Sequence, residues 1–223
     1  PGQDPSALAR IVDEEIARLV RDGVTEPELQ AAKNSFLSGF LALADTQGFI
    51  VVWPDGLNNR WNAGDCCGNP TVDDVGFVRA LVPTIAAETA IDLRRVYATG
   101  LSNGGAMSHR LACDAADLFA AAAPLAFPVP FRPLSECHPV RSIPVLTFMG
   151  LTDVLVEYEG GSFPSAAETL AYWRDVNDCR DAAPRQTVAV GESRCEVFEQ
   201  CASGVEAGLC SITAISFGGT FFD

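Results

Sequence analysis

An α/β fold, with a mainly parallel sheet and helices on both of its faces, is predicted by three features of the chain. Short apolar runs rich in β-branched residues alternate with stretches of helical periodicity, the pattern that builds parallel sheets through crossover helices. One such run, Val96-Tyr97-Ala98-Thr99, passes directly into Gly100-Leu101-Ser102-Asn103-Gly104 and then into a helical pattern from Ala106 to Cys113, so a glycine-flanked serine stands at a strand-to-helix turn. The 223 residues, 48% of them hydrophobic, suffice for a core of ordinary size.

The chain opens on two helical patterns. Asp4-Pro5 starts the first, in which Leu8, Ile11, Val12, Ile16, Leu19 and Val20 recur at three- and four-residue steps before Gly23. Thr25-Glu26-Pro27-Glu28 reads as a capping box for a second helix through Leu29, Ala32, Phe36 and Leu37. Residues 1–40 are therefore expected to form a helical hairpin appended to a domain over residues 41–223. Gly48-Phe49-Ile50-Val51-Val52-Trp53-Pro54 is a continuous apolar run, as expected of a strand covered on both faces. A long loop follows through Trp61 to Gly68. Thr71-Val72-Asp73-Asp74 then caps a helix that turns Val75, Val78, Leu81 and Val82 inward, and Pro83 is expected to kink or end it. Val96 to Thr99, Ala120 to Leu125 and Ile143 to Gly150 read as buried strands. Ser165 caps a helix through Leu170, Trp173 and Val176, and two more strands are expected around Cys195 to Cys201 and Cys210 to Phe217. In such an alternation the loops at the carboxyl ends of the strands form the site.

Charge and cysteine content narrow the partners and the compartment. The net charge is -14, and Lys33 is the one lysine among 15 basic residues, so neither nucleic acid nor an anionic membrane surface is an expected partner. There is no run of 18 uninterrupted apolar residues, and Pro1-Gly2-Gln3-Asp4 lacks the basic and apolar regions of a signal peptide. Eight cysteines are many for a cytosolic α/β enzyme, and they favour the disulfides of an exported, extracellular protein over buried thiols. Zinc is a third option, disfavoured because there is no C-x-x-C, and no metal ligand is assigned.

The chemistry concentrates at Ser102, the candidate nucleophile. In G-x-S-x-G the turn is sharp enough that the positions two before and two after the serine must lack a clashing side chain, a need Gly100 and Gly104 are expected to meet. A serine also needs a base, and the chain has two histidines. His109 lies seven residues into the elbow helix and is expected to pack there or tip to solvent. His138 lies in the connection toward the opposite end of the sheet. Neither is expected to reach Ser102.

From about Leu41 onward the chain resembles the secreted polyhydroxybutyrate depolymerase and feruloyl esterase group of the α/β-hydrolases. The resemblance rests on Phe49 to Gly56, Trp61-Asn62-Ala63-Gly64 with Cys66-Cys67-Gly68, Val72-Asp73-Asp74-Val75-Gly76-Phe77, Gly100 to Gly105 and Gly150-Leu151-Thr152-Asp153. It implies an α/β-hydrolase-type sheet whose first strands the helical hairpin replaces, hydrolysis of small or polymeric carboxylic esters, and no metal or organic cofactor. By the same resemblance Ser102 attacks the ester and Asp153, 51 positions later and just beyond a strand, orients a histidine. The Asn103 main-chain N–H is the oxyanion donor, and Trp61, Asn62 and Tyr158 are candidate walls of the substrate cleft.

Two expected parts are not found. Relatives in that group carry Gly-Gly-Gly-His-x-Trp-Pro near the end, where this chain reads Ile215-Ser216-Phe217-Gly218-Gly219-Thr220-Phe221-Phe222-Asp223, and their second oxyanion loop would precede Leu41. The reading is thus an esterase domain incomplete at both ends, with impaired catalysis. A non-catalytic ester- or carbohydrate-binding protein and an inactive fragment are the alternatives, and Cys210 is the cysteine expected to lack a partner. Residues 1–40 resemble a helical segment of insulinase-like zinc peptidases, without the H-x-x-E-H that would bring their chemistry. Oligomeric state is not legible in the sequence.

Overall fold

The computed structural model describes residues 41–213, so the expected hairpin over 1–40 and the end of the last expected strand lie outside the described residues. The chain divides into two compact units, Pro1–Pro54 and Asp55–Asp223.

In the first unit, residues 41–47 are helical. The helix stops where Gly48 takes φ +70° and its N–H and that of Phe49 both return to the Ala44 carbonyl, a left-handed stop that glycine adopts without strain. The apolar run that follows forms no strand, contrary to expectation, and Phe49, Ile50, Val52 and Trp53 are exposed. Apolar content alone cannot place a strand. A ladder needs a neighbour, and the run enters none here.

The second unit is built on a six-stranded mixed sheet. Its strands are β1 (Tyr97–Leu101), β2 (Ala121–Leu125), β3 (Val145–Gly150), β4 (Arg185–Val190), β5 (Ser193–Phe198) and β6 (Ala207–Ile212), in the spatial order β1-β2-β3-β6-β5-β4. β1, β2, β3 and β6 run parallel, while β5 and β4 are antiparallel additions. Three helices accompany them: α1 (Asp74–Glu88), α2 (Asn103–Asp114) and α3 (Ala166–Val176). The α/β architecture and the order of its central elements are those expected from the sequence.

Several local readings change. The cap of α1 is Asp73 alone, whose carboxylate accepts the Gly76 N–H, while Thr71 bonds to Asn69. Pro83 does not end α1, which continues to Glu88. The Ser165 cap of α3 is a complete capping box, with the Ser165 hydroxyl accepting from Glu168 N–H and the Glu168 carboxylate accepting from Ser165 N–H. β4 was not foreseen, although its signal is readable. Val188, Ala189 and Val190 lead into Gly191-Glu192, the two-residue loop of a hairpin whose first position has φ +59°.

β1 is not the buried strand expected. It is the edge of the described sheet, with Ala98 buried against α2 and Tyr97, 61% exposed, on the opposite face with Thr99 and Leu101. The core between helices and sheet is made largely of alanine and valine with a few large anchors, among them Met107, Phe127, Ile143, Met149 and Trp173.

Buried polar groups tie the elements together. His109 on α2 accepts a hydrogen bond from the Trp173 indole on α3 through Nδ1 at 3.1 Å. An indole nitrogen only donates, so the His109 proton is on Nε2, which donates to the Phe127 carbonyl at 3.2 Å. Asn177, at the end of α3, closes a similar pair on Ile143, accepting its N–H at 3.0 Å and donating to its carbonyl at 2.9 Å. All eight cysteines are paired: Cys66 with Cys67, Cys113 with Cys137, Cys179 with Cys201, and Cys195 with Cys210. Cys210 therefore does have a partner, the residue directly opposite it in the β5–β6 ladder.

Replacing Asn177 with leucine strands both main-chain groups of Ile143 in a fully buried position. We expect a loss of roughly 1–3 kcal/mol per orphaned group, read as a lower urea midpoint with an unchanged slope.

Candidate active site

Ser102 stands between the end of β1 and the start of α2 with φ 54° and ψ −118°. A non-glycine residue at that φ is strained, and such strain persists only where the surroundings over-determine it. Here three contacts do so. The Ser102 N–H donates to the Leu125 carbonyl of the neighbouring strand at 2.9 Å, and the Ser102 carbonyl accepts from Ala106 in the first turn of α2. The third contact is the close approach of strand and helix. A Cβ on Gly100 would lie 2.6 Å from the Gly104 main chain, and one on Gly105 would lie 2.3 Å from the Leu125 carbonyl oxygen.

Gly104, in contrast, has open space where its Cβ would be. The sequence expectation is corrected on this point: Gly100 is sterically required, but its partner in that requirement is Gly105. The motif names the position two after the serine, whereas the structure puts the contact with β2 one residue further on.

Ser102 is partly exposed and Asn103 half-buried beside it. As the first residues of α2, Asn103 and its neighbours carry N–H groups that no preceding turn can satisfy, and these are oriented to meet negative charge.

Asp153 follows β3 and is 6% exposed. Its Oδ1 accepts from the Leu155 and Val156 N–H groups at 2.9 and 3.0 Å, which fixes the carboxylate in its own turn. Its Oδ2 is buried and has no hydrogen-bond partner among the described residues. β1 and β3 are separated by β2 alone, so the strand ends that lead to Ser102 and to the Asp153 turn lie about 10 Å apart across the sheet. β6 is parallel to β3, so its carboxyl end reaches the same edge.

Neither histidine is at this place. His109 is fully buried with both ring nitrogens engaged, as described above, and burial holds its pKa down to about 3, so it is a neutral structural group. His138 is exposed and follows Cys137, which is tied to Cys113 ten positions after Asn103 on α2. That end of α2 is roughly 15 Å along the helix from Ser102.

The three wall residues fare differently. Asn62 is buried and structural: its N–H donates to Asp74 at 2.6 Å and its amide donates to the carbonyls of Pro70 and Val72. Tyr158 is half-buried with its hydroxyl hydrogen-bonded to Ser211 at 2.6 Å, a clasp between the loop after Asp153 and β6. Trp61 is half-buried and stacks on Phe77, and its main chain is bound by the Asn103 side chain. That link between Trp61 and the residue after the nucleophile was not legible in the sequence, where 42 positions separate them.

The chain is 35% identical over 181 residues to feruloyl esterase B of Piromyces equi, covering 74% of this chain and 33% of that protein. It is 33% identical over 160 residues to a Nocardia uniformis protein that bears an esterase name, covering 70% of this chain and 44% of that protein. Both similarities are to esterases. The chain thus spans between about a third and under half the length of these curated relatives. The acetyl xylan esterase of Aspergillus awamori shares the fold, with a TM-score of 0.60 at 15% identity over 79% of this chain and 75% of that one. No protein-family model matches the chain. Nothing in these comparisons supports the zinc-peptidase resemblance read in residues 1–40. The α/β-hydrolase-type sheet expected from the sequence is the fold observed.

Two outcomes follow from this geometry. Gly105→Ala should lower the unfolding temperature and disturb the elbow, whereas Gly104→Ala should be neutral or stabilising by up to about 1 kcal/mol, since alanine is the better helix former. His109 adds a pH signature. Its folded pKa lies below the 6.5 of the free side chain, so the unfolded chain takes up a proton first and stability is lost as pH falls from about 6.5 toward 3. His109→Asn should flatten that part of the stability–pH curve in urea titrations relative to the parent protein.

Proposed function

We propose that this chain is the core of a serine carboxylesterase, with Ser102 as the nucleophile, the Asn103 N–H as an oxyanion donor and Asp153 as the carboxylate that orients an imidazole. The observation that carries the reading is the Ser102 conformation, a strained turn that presents a hydroxyl at the start of a helix. The Asp153 Oδ2, buried and without a hydrogen-bond partner among the described residues, supports it, since a carboxylate oxygen can accept an imidazole N–H. The names of the relatives favour hydroxycinnamoyl or acetyl esters of polysaccharide as the substrate class, with polyester as the second choice from the motif resemblance. Four disulfides favour an oxidising, extracellular setting. Among the described residues no helix is long and apolar enough to cross a membrane.

In this mechanism Ser102 Oγ attacks the ester carbonyl as its proton passes to the imidazole. The leaving oxygen takes that proton from the imidazolium and departs as the alcohol; water then gives a proton to the imidazole as it attacks the acyl-serine, and the acid is released as Ser102 Oγ takes the proton back. The placement of both histidines favours one further reading, a protein that binds esters without turning them over. Without the base, catalysis is weaker by roughly 10⁶-fold in kcat.

Free imidazole distinguishes the two. If Ser102 and Asp153 are the surviving parts of a triad, hydrolysis of p-nitrophenyl acetate by this chain rises saturably with added imidazole beyond the solution reaction. That increment is absent in Ser102→Ala and reduced in Asp153→Asn. Equal rates for the parent protein and Ser102→Ala at every imidazole concentration reject catalysis, and retained binding of methyl ferulate then favours the binding protein.

A further inference from the structure

The Asn103 side chain makes a reciprocal pair with one peptide unit of a distant loop. Its Oδ1 accepts the Trp61 N–H at 2.7 Å and its Nδ2 donates to the Trp61 carbonyl at 3.0 Å. Both polar atoms of the amide are thus engaged by a single residue, a cyclic geometry that fixes the side chain and the loop together. The loop is held from other sides as well. The Asn62 N–H reaches Asp74 at the start of α1, the Arg110 guanidinium of α2 donates to the Asn62 carbonyl, the Asp65 N–H reaches the Pro130 carbonyl, and the Cys66–Cys67 disulfide closes its tip. Only the Asn103 pair ties it to the residue adjoining Ser102.

Asparagine at the first turn of a helix has another option. Its amide readily folds back onto nearby main-chain N–H groups, the usual behaviour of this residue at helix starts. In an esterase those groups must stay open for the oxygen that gains negative charge. We propose that the Asn103 side chain is a positioning residue: by pairing with Trp61 it holds the residue 61–68 loop beside Ser102 and keeps its own amide off the N-terminus of α2. Trp61, stacked on Phe77, is in consequence fixed as a wall next to the nucleophile, suited to the planar ring or apolar face of an ester substrate. The inference rests on the esterase reading for its catalytic part, but the clamp itself does not.

The test uses the full chain, its Asn103→Ala and Asn103→Asp variants, and Ser102→Ala as the reference for Ser102-dependent hydrolysis. Amide hydrogen exchange is followed peptide by peptide, and imidazole-assisted hydrolysis of p-nitrophenyl acetate and methyl ferulate is resolved into KM and kcat. Loss of the clamp should speed exchange in residues 61–68 by roughly tenfold or more in Asn103→Ala, with exchange in β2 and β3 unchanged. KM for methyl ferulate should rise about tenfold while KM for p-nitrophenyl acetate, whose acyl group carries no ring to meet Trp61, stays within about twofold. Asn103→Asp keeps the acceptor for the Trp61 N–H but sets a carboxylate against the Trp61 carbonyl, so it should show the same loosening with a lower kcat for both esters, because it adds negative charge beside the oxyanion. Unchanged exchange over residues 61–68 in both variants overturns the clamp, whatever the activity. Faster exchange with unaltered KM for methyl ferulate overturns the positioning role. Faster exchange together with Ser102-independent hydrolysis leaves the clamp standing and rejects the esterase reading instead.

Discussion

The second unit of this protein depends on one close approach, the crossing of the β1–α2 connection over the end of β2. At that crossing Ser102 is bent to φ 54°, and the bend is maintained because the Leu125 carbonyl binds the Ser102 N–H and leaves no room for a side chain at residue 105. A residue so strained costs roughly 1–3 kcal/mol, and the surrounding contacts must supply at least that much. Two hydrogen bonds and the packing of α2 on β1 and β2 do. The constraint propagates. Because α2 must lie within glycine distance of the sheet, the residues at the contact are small, Ala98 and Ala122 on the strands and Ala106 on α2, and the larger volume of the core is provided by Met107, Phe127 and Trp173. A tight elbow and an alanine-rich core are the same requirement seen at two scales.

Small residues pack closely but specify orientation poorly, and the buried polar pairs complete that specification. His109 with Trp173 and Phe127, Asn177 with Ile143, and Asn62 with Asp74 each join elements that are far apart in sequence, and each has its donors matched to acceptors. A mismatch in any would leave a desolvated polar group, so these pairs penalise alternative packings more than they stabilise the observed one. The disulfide between Cys113 and Cys137 acts in the same sense at the far end of α2.

How much of this was legible in the sequence follows from the range of the interactions. The elbow, the Ser165 cap and strands β2 and β3 were readable because each is encoded within a few residues: a glycine pattern, a capping serine before a helical pattern, an unbroken apolar run. The apolar run at residues 48–54 misled because burial is a property of neighbours, and a strand sequence without a ladder is only an apolar segment. β1 misled in a related way, since its composition suits a central strand while its position is the edge of the described sheet. Asn62 and Tyr158 look like substrate contacts by residue type, yet each spends its polar atoms on the protein itself, and the partners, Asp74 and Ser211, lie 12 and 53 positions away. Gly104 and Gly105 could not be told apart by motif, because the motif records spacing and the clash depends on which side of the helix meets β2.

The acid at the other strand end shows the opposite economy. A native carboxylate at Asp153's depth normally has every oxygen satisfied, because a buried acceptor left alone costs roughly 1–3 kcal/mol, more when charged. Asp153 satisfies Oδ1 twice, from two successive N–H groups, and Oδ2 not at all among the described residues. A serine or asparagine side chain could cap the same two N–H groups. The second oxygen is therefore what the aspartate adds. It lies after β3, across β2 from the elbow and at the edge where the parallel β6 also ends. The strain at Ser102 and the Asp153 Oδ2 left without a partner among the described residues are two costs in one structure, and the serine esterase mechanism we propose would give both a purpose.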